Sequence, residues 1–164
     1  EGDELVGVSL TSGGSDVMLF SDAGKVIRFN EDRVRAMGRT ATGVRGISLE
    51  DEQKVIALII AKAEGDILTA TENGFGKRTA ISEYPTHNRG GQGVIAIATS
   101  VRNGKAVSAI KVSASDELML ISDGGTLVRT GVDGISQVGR NAQGVRLINL
   151  SNSEKLVSVA RVED

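Results

Sequence analysis

The chain has 164 residues, 40% apolar but only 2% aromatic, with 21 glycines, one proline, no cysteine and a formal net charge of -2. Its length is enough to bury a core, which must be built from aliphatic side chains, and the glycines point to many tight turns. Without cysteine there are no disulfides or thiolate metal sites; no apolar run approaches the roughly 20 residues of a membrane-spanning helix, and the acidic opening EGDEL is unlike a signal peptide, so a soluble, cytoplasmic protein is expected.

Residues 1–15 read as the last strand of a preceding, truncated repeat. Leu5 to Leu10 (LVGVSL) aligns with Val55 to Ile60, Ala106 to Lys111 and Leu156 to Arg161 at offsets of 50, 51 and 50 residues. SGGSD at Ser12 to Asp16 then leads into three complete units, 16–65, 66–115 and 116–164. A period of this size marks an array of supersecondary units, in the range of propeller blades rather than helical solenoid pairs.

Each unit predicts four short strands. The first is a compact apolar run, Val17 to Phe20, Ile67 to Ala70 and Leu118 to Ile121, suited to a strand covered on both faces. Asp22 to Gly24, Glu72 to Gly74 and Asp123 to Gly125 tolerate the positive φ of a tight hairpin turn. The second strand, Val26 to Phe29 and its copies, carries Arg28, Arg78 and Arg129 near its end. The third is expected at Val44 to Leu49, Val94 to Ala98 and Val145 to Leu150, and the fourth is the segment aligned with Leu5 to Leu10.

Between the second and third strands runs an arc of about a dozen residues, longer than hairpin loops usually are. Val34, Tyr84 and Ile135 share one slot in it, and Met37, His87 and Val138 another. These pegs would tack the arc to the blade and leave Arg39, Arg89 and Arg140 outside. Helical periodicity is unconvincing and β-branched residues dominate the periodic segments. The fold class is therefore all-β and propeller-like, three repeats of about 50 residues with four strands each.

Charge is sorted by position within the repeat. Windows 24–46, 74–96 and 125–147 together hold twelve basic residues against four carboxylates, whereas the rest of the chain holds seven against seventeen. The twelve are Lys25, Arg28, Arg33, Arg35, Arg39, Arg45, Lys77, Arg78, Arg89, Arg129, Arg140 and Arg146. Recurring cations suit a polyanion whose charges also recur, and arginine offers phosphate a planar fork that stays charged. Solvated loops are the plainer account of the arcs, and inter-blade salt bridges the plainer account of Arg28, Arg78 and Arg129.

RAMGR at Arg35 to Arg39, GVRGI at Gly43 to Ile47, NGFGKRTAISEYPT at Asn73 to Thr86, GTLVRT at Gly125 to Thr130 and VGRNAQGV at Val138 to Val145 carry a family resemblance. Over essentially its whole length the sequence resembles the C-terminal domain of the bacterial DNA gyrase A subunit. The resemblance implies a β-pinwheel, a bent ring of blades that exchange strands and carry double-stranded DNA on a basic outer rim. This chain would be its last three blades, a partial ring, plus one strand of the preceding blade. Implied partners are duplex DNA without sequence preference, the remainder of the gyrase A subunit, plus the gyrase B subunit, with no membrane, in the bacterial cytoplasm at the nucleoid. ATP and magnesium are implied only for the holoenzyme, a topoisomerase; this stretch would need no cofactor.

The family's QRRGGKG box has a degenerate counterpart in HNRGGQG: His87, Asn88, Arg89, Gly90, Gly91, Gln92 and Gly93. Gln92 stands where the box has lysine, and His87 and Asn88 replace its Gln-Arg, so the full box is expected upstream. The related C-terminal domain of the topoisomerase IV A subunit, which lacks a good box, is the rival identity, and a protein-binding propeller the rival class.

No catalytic constellation appears. His87 is the single histidine, and its slot-mates Met37 and Val138 predict a packed or half-buried ring rather than a metal ligand. GFGKRT at Gly74 to Thr79 has Arg78 where a phosphate loop needs Ser or Thr, and it falls on a hairpin. Open strand edges at either end of the array would allow a second copy to pair with the first.

Overall fold

The computed structural model describes residues 2–62 and 64–163. The first repeat contributes β1 (Asp16–Ser21), β2 (Lys25–Asn30) and β3 (Val55–Ala61); the second β4 (Asp66–Thr71), β5 (Phe75–Ala80), β6 (Val94–Ile95) and β7 (Ala106–Val112); the third β8 (Glu117–Ser122), β9 (Leu127–Gly131), β10 (Val145–Arg146) and β11 (Leu156–Arg161). All pairing between these strands is antiparallel, in three sheets ordered β3-β1-β2-β6, β7-β4-β5-β10 and β11-β8-β9.

The orders show that strands are exchanged. β6 belongs to the second repeat by sequence but completes the first sheet, with Lys25 opposite Ile95 and Val26 opposite Val94. β10 leaves the third repeat to complete the second sheet, placing Arg146 opposite Phe75. Glycine makes the crossing geometry accessible. The turn residue Gly24 has φ +75 and its carbonyl accepts from the incoming Ala96 amide at 2.7 Å; a Cβ on it would collide with the Ile97 carbonyl. Gly93, which starts β6, also has φ +75 and passes so close to the Val26 carbonyl that only hydrogen fits.

Two expected strands do not form. Leu5 to Leu10 is exposed and unpaired, and Val44 to Leu49 takes no strand conformation. A strand needs an edge to bond to, and under the exchange pattern both would pair with a sheet N-terminal to β1; among the described residues no such sheet stands there. The third strands of the later repeats shrink to Val94–Ile95 and Val145–Arg146, because beyond them two successive amides converge on one turn-glycine carbonyl, Ala96 and Ile97 on Gly24, Leu147 and Ile148 on Gly74, instead of continuing a ladder. One further feature was not expected: each second strand runs into a single 3-10 turn, Glu31–Arg33, Ile81–Glu83 or Val132–Gly134.

The main cores lie between sheets. Met18, Phe20 and Val26 of the first sheet meet Ile67, Ile81, Tyr84 and Ala109 from the second repeat, and Leu68, Ala70 and Val112 meet Leu118, Leu120, Val132 and Ile135 from the third. Tyr84, 2% exposed, sets its ring edge-on to Phe20 at 6.3 Å, and Ile135 is its buried counterpart in the third repeat. Val34, the same peg in the first repeat, is 40% exposed, since no earlier sheet stands beside it. The fourth strands β3, β7 and β11 neighbour one another, so they form the hub edge of each sheet. The exchanged strands and the arcs form the opposite rim edge.

Candidate nucleic-acid interface

The arcs are bound to the sheet before them. The His87 amide donates to the Arg28 carbonyl at 2.7 Å, the Ser48 amide to the Gly91 carbonyl at 2.8 Å, and the Val138 amide to the Arg78 carbonyl at 2.8 Å. The second and third arcs thus leave their own blades and lie along the neighbouring rim. His87 itself is exposed, not packed as its slot-mates predicted: the arc is held here through its backbone, and the imidazole turns to solvent.

Arc arginines reinforce this crossing. Arg89 donates from Nε to the Arg33 carbonyl at 2.8 Å and from Nη1 to the Arg45 carbonyl at 3.1 Å. Arg140 donates from Nη1 to the Ile95 carbonyl at 2.8 Å. Both are half-buried and span a seam, while Arg39, the copy with no earlier blade to grip, is exposed. Arg33, Arg35, Arg45 and Arg146 are also exposed, and Lys25 is half-buried on β2. Of these, Arg33 alone has a carboxylate within salt-bridge reach among the described residues, Asp32 at 3.9 Å. The Arg89 bonds place the cations Arg33, Arg45 and Arg89 together at the first seam.

Other predicted cations are not free. Arg28 pairs with Asp16 at 2.7 Å and donates to the Ile81 and Tyr84 carbonyls at 2.9 and 3.2 Å, with its side chain 15% exposed. Arg78 pairs with Asp66 at 3.4 Å and is similarly enclosed, and Arg129 pairs with Glu117 at a more open site. The physical reason is the hairpin: the strand-end arginine lies diagonally across from the acid that opens the first strand, and in Arg28 the leftover donors staple the next blade.

Lys77 is 1% exposed, with Nζ donating to the carbonyls of Gly139, Arg140 and Ala142. Burial, aided by the Arg140 charge, pulls its ammonium down to about 8. A helper charge at the surface was the expectation; a buried clasp on the third repeat's arc is the finding. Ile27 and Val128 occupy the same repeat position, which marks it as inward-facing.

One basic residue escaped the sequence reading. Arg102 is exposed, stacks over the Phe75 ring at 4.2 Å from its centroid and donates to Gln143 Oε1 at 2.9 Å and to the Gly144 carbonyl at 3.0 Å. It lies outside the windows that repeat, and Glu52 and Ser153 fill its equivalent positions.

Among the described residues, no group of three or more His, Cys, Asp or Glu is placed to hold a metal ion, and no helix is long and apolar enough to cross a membrane. The GFGKRT stretch lies on the β4–β5 hairpin with Lys77 turned inward.

The DNA gyrase C-terminal domain, beta-propeller family matches residues 15–62, 65–113 and 116–163, one match per repeat. The chain is 60% identical over its entire length to the DNA gyrase A subunit of Salmonella typhimurium and 56% identical to that of Escherichia coli, spanning 19% of each. The solved structure of the DNA gyrase A C-terminal domain superposes with a TM-score of 0.81 at 31% identity, over 90% of this chain and 50% of that one. The C-terminal domain of DNA topoisomerase IV superposes with a TM-score of 0.88 at 22% identity over 96% of this chain and 50% of that one, a likeness of fold alone. With every repeat matched and strands exchanged from blade to blade, the chain belongs to the DNA gyrase C-terminal domain family.

Proposed function

We propose that this chain binds and bends duplex DNA along its rim as part of a bacterial gyrase A subunit, working at the chromosome in the cytoplasm. The observation that carries the reading is the blade-to-blade arc. Each seam bears cations on a backbone already fixed by Arg89 or Arg140, so little order remains to be imposed when phosphate arrives. Arg33, Arg35, Arg39, Arg45 and Arg146 are the open positions, and Lys25, Arg89 and Arg140 contribute from partial cover. Contacts of this kind go to the DNA backbone and carry no sequence information.

In the longer protein, wrapping on this rim would present a crossing DNA segment with fixed handedness, so that ATP use yields negative supercoils. Strand cleavage and ATP hydrolysis would come from the rest of the gyrase A subunit together with the gyrase B subunit. Bending a site of 20 to 30 base pairs costs on the order of 1–6 kcal/mol, which contacts accumulated over several blades can offset. The test is a duplex carrying a dye at each end. The reading expects energy transfer to rise on binding, with equal affinity for two unrelated sequences. Unchanged end-to-end distance would refute bending, and strong preference for one sequence would refute backbone recognition.

A further inference from the structure

The second seam holds an arrangement that neither the first seam nor the repeat pattern reproduces. Phe75 carries two guanidiniums, Arg102 at 4.2 Å and Arg146 at 4.6 Å from the ring centroid. Neither has a carboxylate within 4.0 Å among the described residues. Two like charges on one ring repel each other. The ring offsets part of that repulsion, and an anion within reach of both would offset more.

The platform beneath them is rigid. Asn73 Nδ2 donates to the carbonyls of Val101 and Arg102, at 3.2 and 3.0 Å, which fixes the turn bearing Arg102 to the β4–β5 hairpin. Asn103, fully buried, donates from Nδ2 to the Ala98 and Gln143 carbonyls at 2.8 and 3.1 Å. Gln143 Oε1 in turn accepts from Arg102, so one residue is gripped at its backbone and at its side chain. Arg102 is therefore aimed before any ligand arrives, and it keeps its Nε–H and further N–H groups unspent. Arg146 makes no side-chain hydrogen bond among the described residues and keeps all of its donors.

We infer that Arg102 and Arg146, seated on Phe75, form a two-arginine clamp for a backbone phosphate of duplex DNA at the seam between the second and third repeats. The inference rests on the DNA-binding reading above and adds to it a fixed anchor point. At the first seam the corresponding residues are Lys25, Glu52 and Ile95, a mixed-charge set with no aromatic platform, so the rim does not grip evenly: DNA would be held hardest at the second seam.

The test is duplex binding by the full chain, with affinity followed against salt concentration. Arg146→Ala, which removes no hydrogen bond from the fold, should weaken binding several-fold, and Arg102→Ala with Arg146→Ala should lower the log-log slope by about 0.9, the one clamped phosphate no longer neutralised. Arg102→Lys should keep the slope of the unaltered chain while weakening affinity several-fold, because the charge stays and the aimed fork is lost. Arg161→Ala, on the hub strand β11, should change neither. If the unaltered chain binds with a steep slope and Arg146→Ala binds identically, the clamp is overturned while the DNA reading stands. If the unaltered chain shows no salt-dependent binding, both fall.

Discussion

Lys77 shows how one side chain in this fold trades charge for position. With its pKa drawn from the ordinary 10.5 to about 8, the unfolded chain holds one proton more than the folded chain between those values. Stability must therefore rise with pH across that window. Urea midpoints of the unaltered chain, compared with Lys77→Met from pH 8 to 10, should climb relative to the variant; parallel curves would mean that the ammonium is not desolvated. Arg28 makes the opposite point, a charge kept because it is paired. Arg28→Ala removes the ion pair with Asp16 and the bonds to the Ile81 and Tyr84 carbonyls, and a loss on the order of 3 kcal/mol is expected, with the salt dependence of DNA binding unchanged. A reduced salt slope would return Arg28 to the interface. For Arg28 the sequence leaves salt bridging open as the plainer account, and Asp16, Asp66 and Glu117 recur with the arginines they bind; Lys77 reads there as a surface cation, although Ile27 and Val128 at its repeat position carry the signal that it faces inward. Arg102 was not legible, because its neighbours Phe75 and Gln143 are brought to it only by folding.

At the scale of the strand, the hairpins and their turn glycines followed from local chemistry, since two adjacent runs with a DAG, ENG or DGG between them leave few alternatives. Exchange did not follow from spacing. Periodicity reports that a segment recurs and is silent on which neighbour it bonds, so exchange is expected from the family resemblance alone, and the register identifies β6 and β10 as the exchanged strands. The same blindness explains Leu5 to Leu10 and Val44 to Leu49, whose sequences are strand-like and whose pairing edges are missing. Gly93 is the position on which the first exchange turns. Gly93→Ala adds a Cβ against the Val26 carbonyl in a left-handed backbone, and about 1–3 kcal/mol of strain is expected. Hydrogen exchange should show it first at the Ala96 amide, which bonds Gly24 across the seam, and leave the β8–β9 hairpin protected. Uniform loss of protection would mean that the seam is not an independent unit.

For the molecule as a whole, hub and rim divide the labour. Strands β3, β7 and β11 come together at one edge of the sheets, and the arcs carry the open cations to the other. Both ends of the array carry open edges: β9 pairs on one side only, with Leu127 59% exposed, and Val44 to Leu49 is bonded to the second arc through Gly46 and Ser48 but joins no sheet. Such edges favour pairing, so sedimentation of this chain alone should show its mass doubling as concentration rises; a monomer throughout would show that the arcs already protect the ends. The central claim is that the arc arginines hold DNA by its phosphates, and a salt titration of duplex binding reads it most directly. With Arg35, Arg39 and Arg45 all changed to Gln, the account predicts a log-log slope shallower by about 2.7 than that of the unaltered chain, near 0.9 for each phosphate no longer neutralised. An identical slope in a variant of equal thermal stability would contradict it.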